Sequence, residues 1–306
     1  CIITTTTDDL ERSVRSSLSS HGTNGRDHMS QPTTPPTELS AGMLHDLPET
    51  MYREHAGINF STLKAIAQSP LHYQHQLTAK HTPTTSMRLG TAVHSIVLTP
   101  DTFDMDVAVA PSVNRRTKAG KEEIAEFERV NANKVVITKD EFDTAQYIAD
   151  SVAKCPHASN VLAAAPKREQ MALWNWGEDE AGALCKGKID AHGEGLLVDL
   201  KTSADVNLNT VRHRLSSFHY DAQMAFYAAG LKACGNPIQQ VIMVFVENTA
   251  PYGVTVVEVA QEWIELATRR CELWLKKVLD CTMEDKWERG PGGIVLMEPP
   301  AWMKPS

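Results

Sequence analysis

The stretch GKIDAHGEGLLVDLKTS, residues 187–203, carries Asp190, Asp199 and Lys201 on two runs of strand-forming residues joined by a glycine-rich turn. Side chains alternate along a strand, so Asp199 and Lys201 share one face, about 7 Å apart along the chain. Val198 and Leu200 then point to the opposite face and into a core. The turn HGEG folds the preceding strand back and can bring Asp190 alongside Asp199. Two carboxylates this close repel unless a cation sits between them, and oxygen ligation favours Mg²⁺ or Mn²⁺. A lysine beside that cation can orient or deprotonate a water, or stabilise charge on a phosphate. The pattern fits metal-assisted phosphodiester hydrolysis. On spacing alone, a solvated hairpin with a surface ion pair of little energetic worth is the commoner reading. The apolar run around the charges of LLVDLKT is what argues for a buried, working site.

Two further stretches bear on the same chemistry. In YDAQMAFYAAGL, Gln223 and Tyr227 lie four apart on one helical face, and Met224, Ala228 and Leu231 form another face that can pack on a sheet. Gln223 and Tyr227 are suitable donors to phosphate oxygens or to an attacking water; a surface glutamine and an interfacial tyrosine are the ordinary alternative. RLGTAVHSIVL places His94 on an otherwise apolar helix. A lone histidine there is usually a satisfied core residue, but as a third metal ligand beside two aspartates it would have a purpose, because neutral imidazole suits Mn²⁺.

The chain that must position these residues has 306 of them, 42% hydrophobic and 22% charged, with a net charge of −8 and a pI near 5.8. That composition is ordinary for a globular protein. The acidic balance argues against a nucleic-acid coat protein but allows a local basic groove. Residues 1–50 are rich in Thr, Ser and Pro and lack apolar periodicity, so they are expected to be disordered. HMSQPTTPPTELSAGM reads as a natural start at Met29, with the residues before it upstream-translated or artefactual. Residues 51–306 read as one compact α/β domain. NFSTLKAIAQSPLHYQHQL is helical with Asn59 or Ser61 as N-cap, and MRLGTAVHSIVL, KAGKEEIAEFERV, KDEFDTAQYIADSVAKCPHASNVLAAA, DAQMAFYAAGLKA and QEWIELATRRCELWLKKVLDC are helical too. EQMALWNW, ALCKGKIDA, GLLVDLKT, QQVIMVFVEN and VTVVEVA are strands. No run is long and apolar enough for a membrane-spanning helix. The six cysteines show no C-x-x-C pair and no zinc-like spacing, and reduced thiols are expected.

GINFSTLKAIAQSP, RLGTAVHSIVLTPDTFD, VNRRTKAGKEEIAEF, GKID, VDLKTSAD and YDAQMAFYAAG occur in that order. Together they resemble the exonuclease domain of RecE-type exodeoxyribonuclease VIII, in the RecB-like branch of the PD-(D/E)XK nuclease superfamily. The resemblance runs from about residue 55 to about 304. It implies a restriction-endonuclease-like core with a central mixed sheet flanked by helices. It also implies roles: Asp190 and Asp199 as metal-binding carboxylates, Lys201 as the catalytic lysine, His94 completing the metal site, and Gln223 and Tyr227 on the substrate-contacting helix. Glu169, on the strand before the hairpin, is a candidate supporting acid. The second acid here is Asp199, and Ile189 rather than proline precedes the first; the superfamily tolerates both.

The resemblance further implies an ATP-independent enzyme using Mg²⁺, with Mn²⁺ as substitute. It would degrade linear double-stranded DNA from 5′ ends and leave 3′ single-stranded tails for recombination. A homotetrameric ring, a single-strand annealing protein as partner, and a cytoplasmic setting in a bacterial host or under phage control belong to the same expectation. The absence of a G-x-x-x-x-G-K-[ST] loop agrees with ATP independence. Arg115, Arg116, Lys118 and Lys121 form a local basic cluster that could grip phosphates or simply be solvated. Two other readings stay open: a RecB-like single-strand exonuclease with an iron–sulfur cluster, and a non-catalytic DNA-binding relative.

Overall fold

The computed structural model describes residues 39–47, 49–79, 82–114, 116–177, 182–290, 293–299 and 303. The strands are β1 (Met43–His45), β2 (Val107–Val109), β3 (Val135–Ile137), β4 (Lys167–Trp176), β5 (Ala183–Gly193), β6 (Leu196–Ser203), β7 (Gln240–Glu247) and β8 (Val254–Glu258). The helices are α1 (Glu49–Glu54), α2 (Phe60–Leu63), α3 (Pro70–Thr78), α4 (Thr85–Leu98), α5 (Phe103–Asp106), α6 (Lys118–Val130), α7 (Lys139–Lys154), α8 (Pro156–Ala164), α9 (Leu208–Ser217), α10 (Tyr220–Ala233) and α11 (Gln261–Glu284). Among the described residues no helix is long and apolar enough to cross a membrane.

Six strands form one mixed sheet in the order β1-β4-β5-β6-β7-β8, and β2 pairs with β3 in a separate parallel ladder. Within the large sheet only β6 and β7 run parallel, from Leu196 opposite Gln240 to Ser203 opposite Glu247. A parallel pair needs a crossover, and α9 and α10 supply it. One face of the sheet packs on α2, α3, α10 and α11 through Leu63, Tyr73, Phe226 and Leu275, among others. The other face packs on α4, α7 and α8 through Val93, Ile148 and Leu162. Central β6 is covered on both sides: Leu197 enters the first core, Val198 and Leu200 the second. That is why LLVDL reads as a nearly continuous apolar run.

The first core is built round Trp174, which meets Phe226 edge-on at 4.8 Å. The ring fits because α10 has Gly230 beneath it; a Cβ there would lie 2.7 Å from Trp174 Cζ3. Gly230→Ala should therefore destabilise the fold by about 1–3 kcal/mol through overpacking, read as a lower denaturation midpoint. An unchanged midpoint would mean that the ring has room to retreat.

Several boundaries differ from the sequence reading. Met43–His45, expected inside a disordered segment, form edge strand β1 against Met171–Leu173 of β4; Leu44 packs on the first core, and that apolar contact is the physical reason. Residues 1–38 with Met29, and also Pro48, lie outside the described residues. Asn59, not Ser61, is the cap: its side chain accepts from the Thr62 amide at 2.9 Å. The first helical run breaks where Ser69 caps α3 and Pro70 opens it, and the run after Lys139 breaks at Pro156, because proline lacks the amide that a helix interior needs. Helix α9 and the β2–β3 ladder were not expected.

Candidate metal centre and active site

β5 and β6 pair only at Ala191–Val198, His192–Leu197 and Gly193–Leu196. The tight turn falls on Glu194 and Gly195, where Gly195 adopts φ 68°. Beyond Ala191 the two strands diverge, and the freed Leu200 amide donates to Asp190 Oδ2 at 2.9 Å. Ile58 fills the other end of the split: its amide donates to the Leu184 carbonyl, and its carbonyl accepts from the Lys186 amide. The split leaves Asp190 and Asp199 without a backbone ladder between them.

His94, Glu169 and Asp190 come together there, each offering one ligand atom, all within 4.8 Å of one another. His94 stands on α4, and its Nε2 lies 2.8 Å from the Leu200 carbonyl, which can only accept. In the neutral ring Nδ1 therefore carries the lone pair, and it faces Asp190 Oδ2 at 3.6 Å and Glu169 Oε1 at 4.0 Å. Glu169 sits at φ 51°, in the left-handed region for a non-glycine residue, a strained conformation of the kind found at working sites. Burial and then the Asp190 carboxylate push the Glu169 carboxyl above its ordinary value, while Lys188 and His94 pull the other way. Two crowded carboxylates and an imidazole lone pair are a donor set that a divalent cation would relieve.

Asp199 is placed differently from the sequence expectation. It is 1% exposed, and its carboxylate lies on Lys201, with Nζ 2.9 Å from Oδ1 and 2.7 Å from Oδ2. Among the described residues the candidate ligand cluster is His94, Glu169 and Asp190, where His94, Asp190 and Asp199 had been expected. The reason is tertiary: β4 lies next to β5, and Glu169 falls between the Arg168–Ala191 and Gln170–Ile189 pairs, which brings it alongside Asp190, whereas Asp199 shares its face with an ammonium. Lys201 is also 5.3 Å from the centroid of the Tyr220 ring. Burial lowers the Lys201 ammonium, but Asp199 and Asp190 outweigh it and hold it above the usual lysine value.

Burial pushes Asp199 up to about 6, against the opposing pull of Lys201. The folded protein thus holds a proton on Asp199 where the unfolded chain has lost it. This group's contribution to stability falls as pH rises from about 4 to about 6 and is constant above. Without metal, wild type should lose on the order of 2–3 kcal/mol relative to Asp199→Asn between pH 4 and pH 7. Urea melts of both proteins in EDTA at the two pH values measure it; parallel curves would contradict it.

Gln223 donates to the Tyr227 hydroxyl at 3.0 Å. Burial pushes the Tyr227 phenol well above its ordinary value, and Tyr52 and then Asp190 and Asp199 add to the effect. The ring packs on the β5 backbone at Gly187, where a Cβ would lie 2.9 Å from Tyr227 Cδ1. This explains the glycine of GKID. Met224 and Leu231 are buried in the first core, as their spacing implied.

A cleft of about 840 Å³ opens on the His94 side, walled by Glu169, Lys188 and Asp190, with Arg53, Arg88 and Lys134 on its rim. Arg115 lies outside the described residues, and Arg116, Lys118 and Lys121 do not line the cleft; Arg88, which does, is 2.8 Å from Glu141 Oε1. Lys188 was missed by the sequence reading, although it stands two residues before Asp190 and hence on the same strand face. Cys185 and Cys271 are buried, and burial pushes the Cys271 thiol up to about 12 and that of Cys185 higher, so these thiols are poorly suited to bind a metal cluster.

The family described as "PDDEXK-like domain of unknown function (DUF3799)" matches residues 59–297. The sequence matches no curated protein. Among solved structures, a protein from Eubacterium rectale provisionally described as an exonuclease overlays with a TM-score of 0.57 at 16% identity, over 85% of this chain and 97% of that one. At that identity the likeness speaks to the fold alone. A phage-related exonuclease from Haemophilus somnus 129PT matches at 15% identity over 70% of this chain and 100% of that one, but its TM-score of 0.28 carries no argument.

Proposed function

The chain belongs to the PDDEXK-like family DUF3799, and from that premise we propose that it is a Mg²⁺-dependent, ATP-independent exonuclease. It would degrade linear double-stranded DNA from 5′ ends and leave 3′ tails for recombination by strand annealing. The observation that carries the reading is the His94–Glu169–Asp190 cluster beside the buried Asp199–Lys201 pair. The polarity, the annealing partner and a tetrameric ring rest on the RecE-type resemblance. The description of the Eubacterium rectale structure, which shares the fold, agrees with an exonuclease.

His94 Nδ1, Glu169 Oε1 and Asp190 would hold the cation. When bound, it supplies charge to a phosphate oxygen and acidity to a water. Lys201 stands on the far side of the Asp190–Asp199 split, where its ammonium can balance charge developing on the phosphate. Asp199 holds that ammonium in place through both oxygens. The Gln223–Tyr227 pair lies on α10 against the β5 backbone at Gly187, and Arg53 and Lys134 line the cleft with positive charge suited to a phosphate backbone, while Arg88 is held by Glu141.

The test is digestion of end-labelled linear duplex, with and without Mg²⁺, against a covalently closed circle. Linear duplex should disappear from its 5′-labelled ends only with metal, and the circle should survive. Efficient cutting of the circle would make the protein an endonuclease, and loss of 3′ label first would reverse the polarity.

A further inference from the structure

We propose that Lys188 sets which divalent cation the cluster accepts, by holding one oxygen of Glu169 and leaving only the other to face His94 and Asp190. Lys188 and Asp190 are two residues apart on β5, so both side chains leave the same face of the strand. The Lys188 ammonium lies 2.8 Å from Glu169 Oε2, with both side chains about a fifth exposed, at 23% and 21%. The other oxygen, Oε1, is the one turned to His94 Nδ1. Oε2 is already taken up by the ammonium at 2.8 Å, which leaves Oε1 as the oxygen free to face the cluster.

The consequence follows from coordination chemistry. Mg²⁺ keeps a compact octahedral shell, retains several waters and is satisfied by one oxygen from each of one or two carboxylates; Ca²⁺ takes more oxygens and readily uses carboxylates through both. A carboxylate with one oxygen on an ammonium suits the smaller shell and denies Ca²⁺ a ligand. The ammonium also repels every divalent cation, but it repels Mn²⁺ and Ca²⁺ alike. The ratio of the two affinities therefore isolates the effect of the withheld oxygen. Lys188 is a positioning residue in this account, since it acts through Glu169. The inference rests on the reading of the cluster as a metal site.

Calorimetric titration of the full chain with Mn²⁺ and, separately, Ca²⁺ tests it, in wild type, Lys188→Met and Lys188→Gln. In Lys188→Met both ions should bind more tightly, and Ca²⁺ should gain about tenfold over Mn²⁺, at the low end of what outer partners do to metal affinity. Lys188→Gln, which can still donate to Oε2 without a charge, should keep the wild-type ratio while tightening both. Equal gains for the two ions in Lys188→Met would reduce Lys188 to a nearby charge and overturn the inference while leaving the metal site intact. A wild type that binds neither ion would overturn the metal site and this inference with it.

Discussion

Lys201→Ala should lower the digestion rate of linear duplex by about 10²-fold or more, the loss expected when one preorganised charge-stabilising group is removed, while Mn²⁺ binding persists. The ligand atoms at His94, Glu169 and Asp190 do not include Lys201, so the cluster remains. What changes is Asp199. Burial already holds its carboxyl up near 6 with the ammonium present; loss of the ammonium removes the pull that keeps it from rising further. An unpaired buried carboxylate is strongly destabilising, so Lys201→Ala should melt below wild type at pH 8. The double variant Lys201→Ala/Asp199→Asn should recover part of that stability and none of the activity. Single-turnover digestion, Mn²⁺ calorimetry and thermal melts of the three proteins separate these effects. Wild-type cutting by a folded Lys201→Ala protein would remove the pair from the active site.

Asp190→Asn should abolish digestion to a similar extent for the opposite reason. An asparagine oxygen can still accept from the Leu200 amide, the contact that closes the split between β5 and β6, so the fold should hold. The negative charge facing His94 Nδ1 is lost, and Mn²⁺ affinity should fall by at least the roughly 10–100-fold that loss of a mere outer partner costs. Glu169, relieved of its like-charged neighbour, should also ionise more easily, since Asp190 is one of the causes that raise it. The decisive comparison is metal affinity: it should fall in Asp190→Asn and hold in Lys201→Ala. Equal metal binding by Asp190→Asn and wild type would place the cation elsewhere.

The local elements were largely legible in the sequence because their signals are local. Alternation in EQMALWNW, the apolar run LLVDL and the helical spacing of Met224 and Leu231 each follow from the period of a single element, and β4, β6 and α10 carry them. The sharing of one strand face by Asp199 and Lys201 follows from the same two-residue period, and the salt bridge realises it. The ordered motif set also pointed to the family that matches residues 59–297. The three-residue β1 was not legible, because so short an edge strand exists only by pairing with β4.

The sequence by itself singled out the candidate residues for the chemistry: Asp190, Asp199, Lys201, His94, Gln223 and Tyr227, with Glu169 as a supporting acid. Only the tertiary structure decided how they are shared out. Glu169 comes alongside Asp190 because β4 and β5 pair antiparallel with Arg168 opposite Ala191 and Gln170 opposite Ile189, and its Oε1 lies 4.0 Å from His94 Nδ1. Asp199 is drawn to the ammonium on its own face instead. Which cations line the cleft was likewise beyond the sequence, because Arg53, Arg88, Lys134 and Lys188 come from four separate segments. Spacing along one strand fixes a face, but the grouping of side chains from β4, β5 and α4 depends on register and packing between elements, and those are energies of the whole fold.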